Sequence, residues 1–350
     1  MIEFATEYGM FLAKTVTFVL AALFVIGGIA TAAGRTRQQR DDEGYVRVRH
    51  YNRYLENMRD GVRQAVLPDS QRKKEEKRQR KERKQQAKRE KKADAMAKPP
   101  TRLYVLNFEG DIRASAVDQL RREISSVLQV AGEEDEVVIR LESPGGLVHG
   151  YGLAASQLDR IRKQGLKLTV CVDKVAASGG YMMACIGDRI VAAPFAIVGS
   201  IGVVAQVPNV HRLLKKNDVD MEMHTAGEYK RTLTVLGENT DEGREKFKEE
   251  LEDTHALFKE FIRDHRRNLD VSKVATGEHW FGTRAKDLGL VDDLMTSDEY
   301  LSDRAREAEV YEITWEHKRK LAEKLGLNLE GSIDRVLDRW LTRANGPKWQ

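Results

Sequence analysis

Three observations predict an α/β fold behind an N-terminal membrane anchor. Short apolar runs alternate with helix-period segments from residue 102 onward. Two of those runs end in glycine-rich loops, SPGG at 143–146 and ASGG at 177–180. A run of 20 residues without a charge, TVTFVLAALFVIGGIATAAG at 15–34, precedes them all.

The uncharged run is long enough to cross a hydrocarbon core of about 30 Å as a helix. It exceeds the apolar stretch of a cleaved signal peptide, and its N-terminal flank is poor in positive charge, so it reads as an uncleaved single-pass anchor. Only Lys14 lies just before it, whereas Arg35, Arg37, Arg40, Arg47 and Arg49 follow closely. The positive-inside rule therefore puts the C-terminal side in the cytoplasm.

Residues 35–100 read as a charged linker. Between positions 34 and 100 there are 22 Lys+Arg against 11 Asp+Glu, a local charge of +11 in a chain whose net charge is +4. The part from 101 to 350 carries 36 basic and 42 acidic residues, so the globular portion is mildly acidic and is no specific nucleic-acid binder. The stretch QRKKEEKRQRKERKQQAKREKK at 71–92 lacks apolar residues to bury and reads as a solvated helix or tether that attracts anionic lipid.

From there the elements follow in order. Strands are predicted at 102–108, 136–141, 166–172, 189–193 and 220–224, and helices at 114–130, 153–162, 181–186, 210–216 and 241–266. The last of these is amphipathic, with Phe247, Leu251, Leu257, Phe258, Phe261 and Ile262 mainly on one side. A C-terminal strand and helical tail are expected over 311–350, with helix from 315 to 341. The remaining division is an anchor segment at 1–34 and a catalytic domain at 101–310. Cys171 and Cys185 sit in apolar contexts and read as two buried free thiols.

The glycine loops carry the functional question. Glycine lets backbone amides approach a ligand without a Cβ in the way. Two such loops on neighbouring strands could cradle an oxyanion beside Ser178. Each loop also has an ordinary use: SPGG as a tight turn, ASGG as a helix start with Ser178 as its N-cap. Neither ends in Gly-Lys-Ser/Thr, which argues against a nucleotide site. A serine nucleophile needs a base. His149, His211 and His224 show no supporting carboxylate pattern, and no metal-ligand spacing stands out. A lysine can serve if burial lowers its pKa from about 10.4. Lys230 follows a predicted strand and a glycine.

SPGG, then KVAASGGYMMACIGDRIVA, then VGSIGV, then GEYK resembles peptidase family S49, membrane serine proteases with a ClpP/crotonase-like fold of repeated ββα units. The anchor, charged linker and half-size domain resemble its SohB branch. The resemblance implies a Ser/Lys dyad: Ser178 as nucleophile, Lys230 as general base, Ser200 orienting the lysine, and Gly145, Gly146 and Gly179 forming the oxyanion region. It implies no cofactor and no metal. It implies hydrolysis of signal-peptide remnants and other hydrophobic or unfolded segments through an acyl-enzyme, at a bacterial-type inner membrane. It also implies a homo-oligomer whose Ser and Lys come from neighbouring subunits. Relatives hold the catalytic domain outside the cytoplasm, so the resemblance and the charge rule point to opposite sides. The competing functions are a catalytically silent peptide-binding scaffold and a crotonase-type acyl-CoA enzyme.

Overall fold

Apolar runs with no polar alternation, such as EVVIRLE, are what a parallel strand buried on both faces requires. In the computed structural model these runs form the middle of a seven-stranded sheet. The structure describes residues 44–68, 77, 78, 81, 84, 85 and 100–317. The anchor at 15–34, most of the basic stretch at 71–92 and the tail beyond 317 lie outside them.

The strands are β1 (Gly44–His50), β2 (Arg102–Glu109), β3 (Glu136–Glu142), β4 (Lys167–Val172), β5 (Val175–Ala177), β6 (Arg189–Ala192), β7 (Ile197–Gly199), β8 (His279–Phe281), β9 (Asp293–Leu294) and β10 (Glu309–His317). The helices are α1 (Tyr51–Val66), α2 (Val117–Leu128), α3 (Val148–Lys163), α4 (Gly179–Ala184), α5 (His211–Lys216), α6 (Asp241–His265), α7 (Val271–Val274), α8 (Gly282–Asp287) and α9 (Ser297–Arg304). The large sheet has the order β1-β10-β2-β3-β4-β6-β9, and its pairs from β10 to β9 are parallel. A small mixed sheet, β5-β7-β8, pairs β5 with β7 in parallel and β7 with β8 in antiparallel. The sequences β4-β5-α4 and β6-β7-α5 each run strand, strand, helix.

Strand alternation divides the core between the two faces of the large sheet. Leu106, Phe108, Ile139 and Val170 face the main core with Leu120 and Ile124 of α2 and Leu158 of α3. Leu103, Val105, Val138 and Cys171 face a smaller core with Tyr300 and Leu301 of α9 and Tyr51 of α1. On that second face Glu136 is buried and accepts hydrogen bonds from Thr169, Tyr300 and Arg304, which compensates a carboxylate removed from water. Cys171 and Cys185 are both free and buried, and desolvation pushes both thiols up, away from reactive thiolate.

Three expectations are corrected. Residues 220–224 form no strand: Val219, Met221 and Met223 are exposed, and the segment pairs with no strand among the described residues. Trp315 lies within β10 rather than starting a helix. The segment read as linker holds β1 and α1, because Tyr51 and Leu55 give α1 an apolar side that packs on the sheet.

The end of α6 is tied to β6 through Asp292. Arg266 donates to both of its oxygens, at 2.9 and 2.8 Å, and the Ile190 amide donates at 2.7 Å. Burial alone would raise this carboxyl; the hydrogen bonds and charge of Arg266 outweigh it and hold the carboxyl below the usual range. The stability it contributes is complete above about pH 4, the unfolded value, and is lost as pH falls through the lower folded value. Asp292→Ala is expected to cost about 2–3 kcal/mol at pH 7, somewhat less than a fully buried pair. The difference from wild type in urea denaturation should shrink toward pH 3, and a constant difference would contradict the assignment.

Candidate active site

Parallel strands bring their C-terminal ends to one edge of a sheet, which is where loops from different strands can meet. Here β2 leads into 110–112, β3 into 143–147 and β5 into 178–180. The β3 and β5 loops are joined directly. Ser143 bridges to Ala176, its amide donates to the Val175 carbonyl at 2.8 Å, and its own carbonyl accepts from the Ala177 amide at 3.0 Å. The SPGG turn is thereby held beside the residue that follows β5.

That residue is Ser178. It occupies the N-cap position of α4 with φ 52° and ψ −117°, a conformation L-residues rarely adopt. Its hydroxyl makes no capping hydrogen bond, so the ordinary N-cap role does not account for it. The turn is imposed from both sides. The Ser178 amide donates to Gly199 at 2.8 Å, and the Met182 amide donates back to the Ser178 carbonyl at 3.0 Å.

Glycines crowd the hydroxyl. Gly145 has φ +89°, and a Cβ there would lie 2.8 Å from the Ser178 Cβ and 2.9 Å from the Gly179 nitrogen. A Cβ on Gly179 would enter the ring of Tyr151, and one on Gly146 would enter the Ile112 carbonyl. The amide of Gly145 donates to Ser143 Oγ at 3.1 Å. The amides of Gly146 and Gly179 have no acceptor among the described residues. Gly145 is buried, Gly146 is exposed, and Ser178 is half-buried. Two N–H groups without an acceptor among the described residues therefore belong to the two loops that meet at this half-buried hydroxyl.

Ser200 is brought alongside by register. Ala177 of β5 pairs with Gly199 of β7, so Ser178 and Ser200 are the next residues on two adjacent parallel strands. Ser200 also has a positive φ, 50°. Its amide donates to the Glu278 carbonyl at 2.6 Å, and the Trp280 ring lies against Gly199.

Lys230 is placed differently. Gly227, at φ +99°, opens a turn closed by the Lys230 amide on the Gly227 carbonyl at 3.2 Å. The lysine is exposed, and no hydrogen bond joins it to Ser178 or Ser200 among the described residues. His149 lies on the exposed first turn of α3, and His211 and His224 lie in the same exposed stretch as Lys230. None of the three hydrogen-bonds to Ser178. The sequence reading overlooked Tyr151. It is fully buried on α3, against Phe108, with its hydroxyl 2.5 Å from Ser143 Oγ. A tyrosine eight positions after a strand-end serine is the signal it left in the sequence.

Comparison with known proteins gives the family. The family model described as "Peptidase family S49 N-terminal" matches residues 3–158, and the one described as "Peptidase family S49" matches residues 160–311. The "Probable protease SohB" of Haemophilus influenzae is 48% identical over 348 residues, covering 98% of each chain. The "Probable protease SohB" of Buchnera aphidicola subsp. Schlechtendalia chinensis is 60% identical over 202 residues, covering 58% of this chain and 66% of that one. Among solved structures, a 1510-N membrane protease specific for a stomatin homolog from Pyrococcus horikoshii matches at 13% identity. It covers 59% of this chain and 79% of that chain, with a TM-score of 0.37. With matching models along most of its length and a near full-length relative at 48% identity, this chain belongs to peptidase family S49 and is a serine protease.

Proposed function

We propose that the chain is a membrane-anchored endopeptidase of the ClpP/crotonase-like fold, working with a Ser178/Lys230 dyad on signal-peptide remnants and other hydrophobic or unfolded segments. The observation that carries this reading is Ser178 itself. It is held at φ 52° with a hydroxyl no cap uses, between two glycine loops.

In this mechanism Lys230, as a neutral amine, takes the Ser178 proton while Oγ bonds to the scissile carbonyl carbon. The carbonyl oxygen becomes an oxyanion held by the Gly146 and Gly179 amides. Collapse of the tetrahedral intermediate breaks the C–N bond, and the leaving amine takes the proton back from Lys230. Water, giving a proton to the same lysine, then attacks the ester carbonyl carbon, and the C–Oγ bond breaks as Ser178 Oγ takes that proton back from Lys230. Ser200 orients the lysine. The exposed Leu147, just before α3, and Val148 and Leu153 on it favour apolar side chains in the substrate.

A lysine base becomes neutral through burial, and Lys230 is exposed in the single chain. Exposed apolar side chains mark the same segment: Val204, Leu213, Val219, Met221 and Met223. A neighbouring copy in a homo-oligomer covers them in this reading and completes the dyad. The run at 15–34 anchors the protein in an inner membrane, with the basic stretch that follows drawn to anionic lipid. Among the described residues no helix is long and apolar enough to cross a membrane, and the anchor lies outside them.

The test is hydrolysis of a fluorogenic signal-peptide-like peptide by detergent-purified protein, beside a charged peptide of equal length and beside Ser178→Ala. Turnover of the apolar peptide by wild type alone is the expected result. Equal turnover in the variant would remove Ser178 as nucleophile, and preference for the charged peptide would remove the substrate class.

A further inference from the structure

We propose that the buried Ser143–Tyr151 hydroxyl pair positions the Gly146 and Gly179 amides against Ser178, making Tyr151 a positioning residue for peptide hydrolysis. The proposal rests on the reading of Ser178 as the nucleophile.

The hydrogen bonds allow one order of donors. Tyr151 OH donates to the Asp111 carbonyl at 2.7 Å, and a carbonyl can only accept. The 2.5 Å contact between the two hydroxyls is therefore donated by Ser143 Oγ to Tyr151 OH. The free lone pairs of Ser143 Oγ then accept the Gly145 amide at 3.1 Å. The chain runs from Gly145 N–H to Ser143, to Tyr151, to Asp111, with each hydroxyl proton used once. Such a fully satisfied buried network favours one geometry.

This chain of bonds links the three loops that gather at the strand ends. Asp111 belongs to the loop after β2, and Ser143 and Gly145 to the loop after β3. The loop after β5 touches Tyr151 through Gly179, where a Cβ would enter the ring. Gly110 is bare because Ser143 Oγ and Tyr151 OH occupy the place of its side chain. The loops after β2 and β3 are joined a second time where the Leu147 amide donates to the Ile112 carbonyl at 2.8 Å. Committing the Gly145 amide to Ser143 also selects among the glycines. The amide of Gly145 is spent inside the network, and the next amide, on the exposed Gly146, is the one left for substrate. Displacing an oxyanion donor by about 1 Å is enough to lose activity without losing binding.

The experiment uses the full-length, detergent-purified protein. It compares Tyr151→Phe, which keeps the ring under Gly179, with Ser143→Ala, which breaks the chain from its other end, and with the double variant. Turnover of a fluorogenic apolar peptide should fall about ten- to hundredfold in kcat, with KM within about threefold of wild type. Affinity for a peptide boronate, whose adduct oxygen sits where the oxyanion forms, should fall by a similar factor. Because both substitutions break one chain, the double variant should be no worse than the poorer single. A purely structural role would lower the thermal midpoint and leave kcat and boronate affinity of the folded fraction unchanged. That outcome, or additive losses in the double variant, would overturn the proposal. If Tyr151→Phe folds poorly, Ser143→Ala reads the same link through a smaller truncation. Ser178→Ala, run in parallel, separates the two claims: activity there defeats the nucleophile. An inactive Ser178→Ala beside a fully active Tyr151→Phe defeats only the positioning role.

Discussion

Ser178→Gly is expected to abolish peptide hydrolysis, by about a thousandfold or more, and to make the protein more stable by about 1 kcal/mol. Both effects come from one residue. In the proposed mechanism the hydroxyl is the nucleophile, and without it only the oxyanion donors and binding remain to accelerate the reaction. The conformation at φ 52° and ψ −117° belongs to glycine and burdens any residue with a Cβ by about 1–3 kcal/mol. Glycine relieves that strain and gives back about 0.5–1 kcal/mol in backbone entropy. Ser178→Ala keeps the Cβ, so it should be equally inactive and close to wild type in stability. The hydroxyl it removes has no capping bond to lose. Thermal or urea denaturation of the three proteins decides the matter. A glycine variant less stable than the alanine variant would mean that Ser178 is not strained.

The second large effect concerns Lys230. Lys230→Ala should be as inactive as Ser178→Ala, yet the two inactive proteins should regain activity when they are assembled together. In a ring of head-to-tail contacts each site takes its serine from one copy and its lysine from the next. Random mixing in equal amounts then leaves about a quarter of the sites with both groups intact. The motivation is the exposure of Lys230 and of Leu213, Val219, Met221 and Met223 around it. Mixed oligomers that remain inactive, with co-assembly shown by cross-linking, would place both groups in the same chain. A fully active Lys230→Ala would end the role of the lysine altogether.

Legibility in the sequence followed how local each signal was. The buried parallel strands stood out because burial on both faces leaves apolar runs such as VVI in β3, and helices α2, α3 and α6 showed their apolar stripe. The small sheet was invisible to periodicity, since β5, β7 and β8 have three residues each. The strand expected at 220–224 failed for a related reason: alternation describes a surface, and a strand also needs a neighbour. Tyr151 was missed because an aromatic on a helix stripe reads as packing, and its hydroxyl partners lie 8 and 40 residues away.

By itself, then, the sequence determined the class of fold, the two glycine loops and the presence of an unhindered serine after a strand, because these depend on residue type and short-range spacing. Tertiary structure alone decided the rest. The pairing of β5 with β7 sets Ser178 beside Ser200, and both have a positive φ. The bond from Gly145 to Ser143 leaves the Gly146 amide free. The strand pairing is a hydrogen-bond choice between segments distant in the chain, and the Gly145–Ser143 bond, though local, is held by Tyr151 and the Asp111 carbonyl on other segments.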